Sequence, residues 1–339
     1  MKAAYKELFF SRITDFLELY LARQIGRSQE TVRSYRFAML IFYKFISDYK
    51  NINPMKFRFT DCTHALVLDY SGYLKETLEY KPSSINQRIA ALKSYAKYVS
   101  DDDVSLLQMR AGIESIPLQT VPKIQRPVIS KEALSEMFNI PETSKFSLRD
   151  KTILIMMFDT ALRVGELVRL KIGDLHLDSE YPYIYVFGKG NKERVVALSD
   201  KARDHLKNYL IRIHFNESDL DAPLFYTKIK GNITPMSTRN VERIVDKYSE
   251  QVAQNTDIPD SVYPHMFRRT RATGLYQDGV PLEMVSRLLG HRYIETTKTY
   301  AYPSIDQLKN AIERSNSEEP EEPLWKGKED EIAKKFGFK

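Results

Sequence analysis

The chain has 339 residues, 42% hydrophobic and 28% charged, which is long enough for two domains with separate cores. It has no run of about 18 apolar residues, its first 15 residues carry charges too early for a secretory leader, and its single cysteine is Cys62. These features argue against a membrane span, an internal disulfide and a multi-cysteine zinc site. They suggest a reducing cytoplasm, and the net charge of +6 with late acidic residues (Glu318 to Glu322, Glu329 to Glu331) suits an anionic partner.

Apolar residues at helical spacing (Phe9, Ile13, Phe16, Leu17, Tyr20, Leu21) predict a helix within residues 5–25. Ser28 can cap the next, whose inner stripe reads Val32, Tyr35, Met39, Phe42 and Ile46. A third covers about 64–78, and a fourth opens at Pro82 with Ile85, Ile89, Leu92, Ala96 and Val99 inward. Its outer face carries Asn86, Arg88, Lys93 and Lys97, so Arg88, Lys93 and Lys97 are candidate DNA contacts; a solvated helix face reads the same way. Residues 1–115 are therefore expected to form a small helical domain. Residues 116–129 are rich in proline and lack apolar periodicity, as in an extended linker.

A second domain is expected over 130–315, opening with a helix capped by Ser130. Helix signals resume over 148–158, followed by the segment from Thr160 to Leu170. The clearest strands are 183–187 and 194–198, which flank the glycine-bearing turn Gly188-Lys189-Gly190-Asn191-Lys192-Glu193. Helices are expected at about 200–213 and 237–254. The tail, 316–339, is polar apart from Trp325 and Phe336. It is either disordered or a candidate helix for docking on a neighbouring protomer.

The stretch from Pro264 to Tyr300 carries the most chemistry. His265 and Arg268, three apart, share a helix face; Pro281 opens another helix, Gly290 closes it, and His291 follows. An arginine can fork onto phosphate oxygens, imidazoles can handle protons, and Tyr300 offers an oxygen for a covalent intermediate. The bland alternative is a set of capping and packing residues. A metal site is not expected, because no carboxylate or cysteine accompanies the two histidines at ligand spacing.

Five motifs stand in order: Ala161-Leu-Arg163-Val-Gly-Glu166, Gly188-Lys189-Gly-Asn-Lys-Glu-Arg194, His265-Met-Phe-Arg268, Leu289-Gly-His291, and Thr296-Thr-Lys-Thr-Tyr300. Together they resemble the tyrosine recombinases, or phage integrases. Arg269 and Met266-Phe267 depart from residues common at those places. The resemblance implies a mainly α fold with a small β-sheet. It further implies a two-domain DNA clamp of a helical core-binding (SAM-like) domain and a catalytic domain.

The implied activity is site-specific recombination through a 3′-phosphotyrosine. Tyr300 would be the nucleophile, Arg163 and Arg268 the phosphate clamp, and Lys189 the acid for the leaving 5′ oxygen, with Lys192 its competitor. His265 would serve as base or hydrogen-bond partner, and His291 would hold a non-bridging oxygen. Glu166 would be an accessory residue, orienting a catalytic side chain or pairing with Arg163. The implied partners are double-stranded DNA, a homo-tetramer at synapsis and accessory directionality proteins. No cofactor is expected, and the setting would be the cytoplasm, at the nucleoid when DNA is bound. A type IB-like topoisomerase and a non-catalytic DNA-binding protein are the alternatives.

Overall fold

The structure, a computed structural model, describes residues 7–122, 126–139, 141, 143–188, 193–215, 218–291, 293–316 and 326–338. By its contacts the chain divides into two units, Met1–Gln125 and Arg126–Lys339. The first is helical. A 3-10 turn (Phe9–Arg12) and a π-helix (Asp15–Gln24) precede α1 (Gln29–Lys44), which continues into a second π turn (Phe45–Tyr49). Then come α2 (His64–Glu76), α3 (Pro82–Asp102) and α4 (Leu107–Glu114). Ser28 caps α1 by accepting from Thr31 N, and Pro82 occupies the first turn of α3, where a missing N–H is harmless.

Periodicity predicts an ordinary helix over residues 5–25, but the segment winds wide. Phe16 stacks on Tyr20 at 5.9 Å, and Phe45 on Tyr49 at 5.6 Å in the other π segment. Phe9, fully buried, sits with ring centroids 5.2–5.5 Å from Phe42, Phe57, Phe59 and Tyr95 and anchors this core.

The outer face of α3 is partly spent on the fold. Lys93 Nζ donates to the carbonyls of Glu114 (2.9 Å) and Ile116 (2.7 Å), capping the end of α4. Asn86 pairs with the backbone of Gln119 through both its amide groups. Arg88 lies over Phe37 and Tyr80, while Lys97 remains exposed.

The second unit contains α5 (Lys131–Phe138), α6 (Lys145–Thr160) and the single-turn α7 (Val164–Leu167). An antiparallel sheet follows, in the order β1 (Leu175–His176), β2 (Tyr183–Phe187), β3 (Glu193–Ala197). Ile184, Val186 and Val196 alternate inward along it. The chain goes on through α8 (Asp200–Ile213), a hairpin of β4 (Tyr226–Ile229) and β5 (Asn232–Pro235), and α9 (Thr238–Val252). It ends with α10 (Pro264–Gln277), α11 (Leu282–Leu289), α12 (Ile294–Thr297), a 3-10 turn (Lys298–Tyr300), α13 (Ile305–Asn316) and α14 (Glu329–Lys335).

Helix α6 is buried all round, with Ile153 to Met157 consecutive in the core, and packs on α8 and α10. It starts earlier than periodicity suggests because Ser144 and Ser147 form a reciprocal cap. It stops at Ala161, whose left-handed φ of 51° frees the chain to re-enter at Arg163. The β4–β5 hairpin is not visible in the sequence pattern. Its turn takes positive φ at both Lys230 (49°) and Gly231 (89°), and lysine is a poor signal for that turn. No helix among the described residues is long and apolar enough to cross a membrane. Trp325 lies outside the described residues; Phe336, just after α14, is exposed.

Truncating Phe9 to Ala should cost the helical unit about 3–5 kcal/mol, since a large ring leaves a cavity among four other rings. Chemical denaturation of the full chain, followed by tyrosine fluorescence, checks this. A loss under about 1 kcal/mol would mean that the ring is not the packing centre.

Candidate active site

Pro264 opens α10, placing His265 and Arg268 on one face of its first turns. Arg268 is completely buried. Its Nη1 donates to Ala161 O at 2.7 Å, and its Nη2 to Leu289 O at 2.6 Å and to His291 Nε2 at 3.0 Å. The two carbonyls belong to the C-terminal ends of α6 and α11, where helix dipoles concentrate negative charge. Burial, then the charge of Arg163, lowers the Arg268 pKa to about 10, which leaves it cationic at neutral pH.

His291 therefore offers its Nε2 lone pair to Arg268, and its Nδ1–H faces Thr297 Oγ1 at 2.8 Å, a tautomer assigned from these partners. Partial burial, with Arg268 and Arg163 nearby, lowers the His291 pKa to about 4. Tyr300 packs its ring on His291 (centroids 6.0 Å) within a small apolar cluster of Ala161, Ala272, Val285 and Leu289. Its hydroxyl lies 3.3 Å from His265 Nε2. Desolvation and then Arg268, Arg269, Arg163 and Arg126 push His265 down to about 4; its ring keeps an open edge, which tempers the effect of burial. Both imidazoles are neutral at ordinary pH, so each keeps a lone pair to use.

Glu166, 3% exposed, ties a second group together. Its Oε2 accepts from Arg163 N (2.9 Å) and Arg194 Nη2 (2.8 Å), and its Oε1 from Arg163 Nη1 (2.9 Å) and Arg194 Nη1 (3.1 Å). Burial alone would raise its pKa, but hydrogen bonds and charge from Arg194 and Arg163 outweigh this and hold it at about 2. The Arg163 side chain stays 43% exposed.

Of the residues singled out in the sequence, Arg163 and Glu166 form one bonded group in the second unit and His265, Arg268, His291 and Tyr300 another, and the charge of Arg163 acts on Arg268 and both histidines. Lys189 and its competitor Lys192 lie outside the described residues. Tyr302 is held through its carbonyl by Gln277. Three histidines left without partners in the sequence have packing roles: His64 bonds Gly112 O, His214 bonds Leu224 O, and His176 stacks on Tyr183. The departure Arg269 is buried and bonds Pro127 O and the Tyr263 hydroxyl, stapling α10 to the start of this unit. Thr297 and Arg194 also belong to these groups, and the sequence alone does not single them out. Nothing marks Thr297 among its neighbouring threonines, whereas Arg194 closes the hairpin motif and was given no role.

Sign and window of the pH response follow from these shifts. The histidine pKa values fall from 6.5 in the unfolded chain to about 4, so the unfolded chain takes up protons first. Their stabilisation is complete above about pH 6.5 and is lost as pH falls toward 4. Glu166 acts in a lower window, from its ordinary 4.5 down to about 2. Melting curves should show the midpoint dropping across the upper window, and a His265→Asn, His291→Asn variant should flatten that part alone. An unchanged slope would contradict neutral imidazoles at these two positions.

The sequence model of the Phage integrase family matches residues 127–305, and that of the phage integrase N-terminal SAM-like domain matches residues 13–101. The tyrosine recombinase XerC of Natranaerobius thermophilus is 30% identical over 305 residues, covering 86% of this chain and 94% of that one. That of Staphylococcus carnosus is 29% identical over 302 residues, covering 86% and 94%. Among solved structures, XerH recombinase in a post-cleavage complex with palindromic difH superposes with a TM-score of 0.68 at 20% identity, covering 87% of this chain and 83% of that one. A lambda integrase dimer on a COC′ core site gives 0.62 at 17%, covering 86% and 94%. The fold is thus that of these DNA-clamp recombinases, and the chain belongs to the phage integrase family, the tyrosine recombinases.

Proposed function

We propose that this recombinase cuts and rejoins double-stranded DNA at a specific site, with Tyr300 as nucleophile. The observation that carries the reading is the Tyr300 hydroxyl held 3.3 Å from a neutral His265, beside Arg268 and His291. The Tyr300 oxygen forms a bond to phosphorus as the bond from phosphorus to the 5′ oxygen breaks. The phenolic proton passes to His265 Nε2, and the leaving oxygen takes a proton from Lys189. Burial is the first cause that depresses His265, and the phosphodiester's own charge offsets the part that the arginines add.

Arg163 and Arg268 neutralise charge growing on the non-bridging oxygens, each lowering the barrier by about 3–4 kcal/mol. Guanidinium suits this role because it presents paired donors. The 3′-phosphotyrosine conserves the bond energy. A 5′ hydroxyl from another strand then attacks it and releases Tyr300, with no nucleotide consumed. We place four protomers at synapsis, directionality proteins as further partners, and the working site in the cytoplasm on chromosomal or mobile DNA. Arg88 and Lys97 of the helical unit are the backbone contacts we favour there; Lys93 is engaged by two carbonyls.

The test uses a nicked duplex bearing the site, found by mapping cleavage in DNA flanking the coding region. The unaltered chain should become covalently linked to it. Tyr300→Phe should bind equally and form no adduct; an adduct there would move the nucleophile to Tyr302 or elsewhere. Arg163→Lys and Arg268→Lys should keep binding but slow cleavage about 10²–10³-fold, and unchanged rates would overturn the clamp.

A further inference from the structure

Arg194 makes its side-chain hydrogen bonds to Glu166 and not to Tyr300 or either histidine among the described residues, yet two parts of the site rest on it. It forks onto both oxygens of Glu166, at 3.1 and 2.8 Å, and only 14% of its side chain is exposed. Its stem and guanidinium also lie against Gly290: a Cβ there would stand 2.9 Å from Arg194 Cδ and 3.1 Å from Cζ. Gly290 has a φ of 63°, so that position is reserved for glycine on both counts. The same turn aims the Leu289 carbonyl at Arg268 and leads directly into His291.

We propose that Arg194 is a positioning residue that keeps Arg163 available to the scissile phosphate and holds the Leu289–His291 turn in register. A buried carboxylate must be satisfied. Arg194 supplies two donors to Glu166, so Arg163 spends one side-chain donor there and keeps the rest of its fork. Without Arg194, Arg163 becomes the nearest cation for a buried anion and is drawn inward, away from DNA. The turn simultaneously loses the surface that backs Gly290. Arg194 contacts no DNA in this scheme and acts only through Arg163, Glu166 and His291.

This inference rests on the proposed phosphoryl transfer and has its own readout. A methylphosphonate at the scissile position lacks one negative oxygen, so it needs less from a guanidinium clamp. Arg194→Ala should bind the nicked duplex within about threefold of the parent and cleave the ordinary phosphodiester about 100-fold more slowly, the scale of one lost transition-state donor. On the methylphosphonate its deficit should shrink to about fivefold or less. Arg194→Lys, which keeps the charge but cannot fork, should fold normally and be slowed about tenfold on the phosphodiester. Equal deficits on the two substrates would reduce Arg194 to a structural residue, and parental rates in Arg194→Lys would also overturn the proposal. Failure of the parent chain to form an adduct with either substrate would instead remove the reaction itself.

Discussion

One buried guanidinium organises the catalytic unit. Arg268 has no exposure to water, and a charge so placed must find full compensation within the protein. No carboxylate provides it directly. Two helix ends do: the carbonyls of Ala161 and Leu289, each turned toward it by the left-handed residue at which its helix stops. Ala161 itself takes a φ of 51° and Gly290 one of 63°, conformations that the rest of the fold must hold in place. Helices α6, α10 and α11 therefore meet at a point fixed by hydrogen-bond geometry rather than by apolar packing alone.

The rest of the site inherits its order from that meeting point. Because α11 ends on Arg268, His291 begins there; because His291 is fixed by Arg268 and Thr297, Tyr300 has a flat surface to pack on. Burial, with arginine charge behind it, makes the site a poor host for a proton on either histidine. His265 and His291 fall to about 4, and Glu166 stays ionised down to about 2. Arg163, Arg194 and Arg268 against the single carboxylate of Glu166 leave a positive excess. Such an excess is costly in the free protein and useful once a phosphate arrives, the usual form of electrostatic preorganisation.

Much of this arrangement was legible in the chain because the residues that converge stand in fixed order at short spacings. His265 and Arg268 must share a helix face, and a glycine before His291 marks a helix end, so both could be read without tertiary information. Partners that meet only in space could not. Thr297 is one threonine among several, and Arg194 is a β-strand residue whose importance lies in what it covers. The wide winding over Asp15–Gln24 leaves no mark in the apolar spacing, and Lys230 at positive φ hid a hairpin. The outer face of α3 shows a further limit. Lys93 and Asn86 read as free polar groups but are consumed by the backbone of residues 114–119, because helix ends and connectors need side-chain donors and acceptors.

The two arginines proposed as the phosphate clamp are consequently unequal. Arg268 commits one Nη1 hydrogen and both Nη2 hydrogens to carbonyls and His291, which leaves its second Nη1 hydrogen and an unpartnered Nε–H. Arg163 is 43% exposed and commits one side-chain donor to Glu166. An arriving phosphodiester can thus be engaged by Arg163 with little rearrangement. Arg268 contributes mostly field at first, and its remaining donors tighten as the transition state gathers charge. His291 Nε2, now occupied by Arg268, is the group whose partner must change for an imidazole N–H to reach a phosphate oxygen. In the proposed reaction both arginines therefore serve the transition state, Arg163 from an exposed and nearly ready position and Arg268 from a buried one whose free donors tighten as charge gathers, because an interaction strengthened in the transition state is what accelerates the reaction.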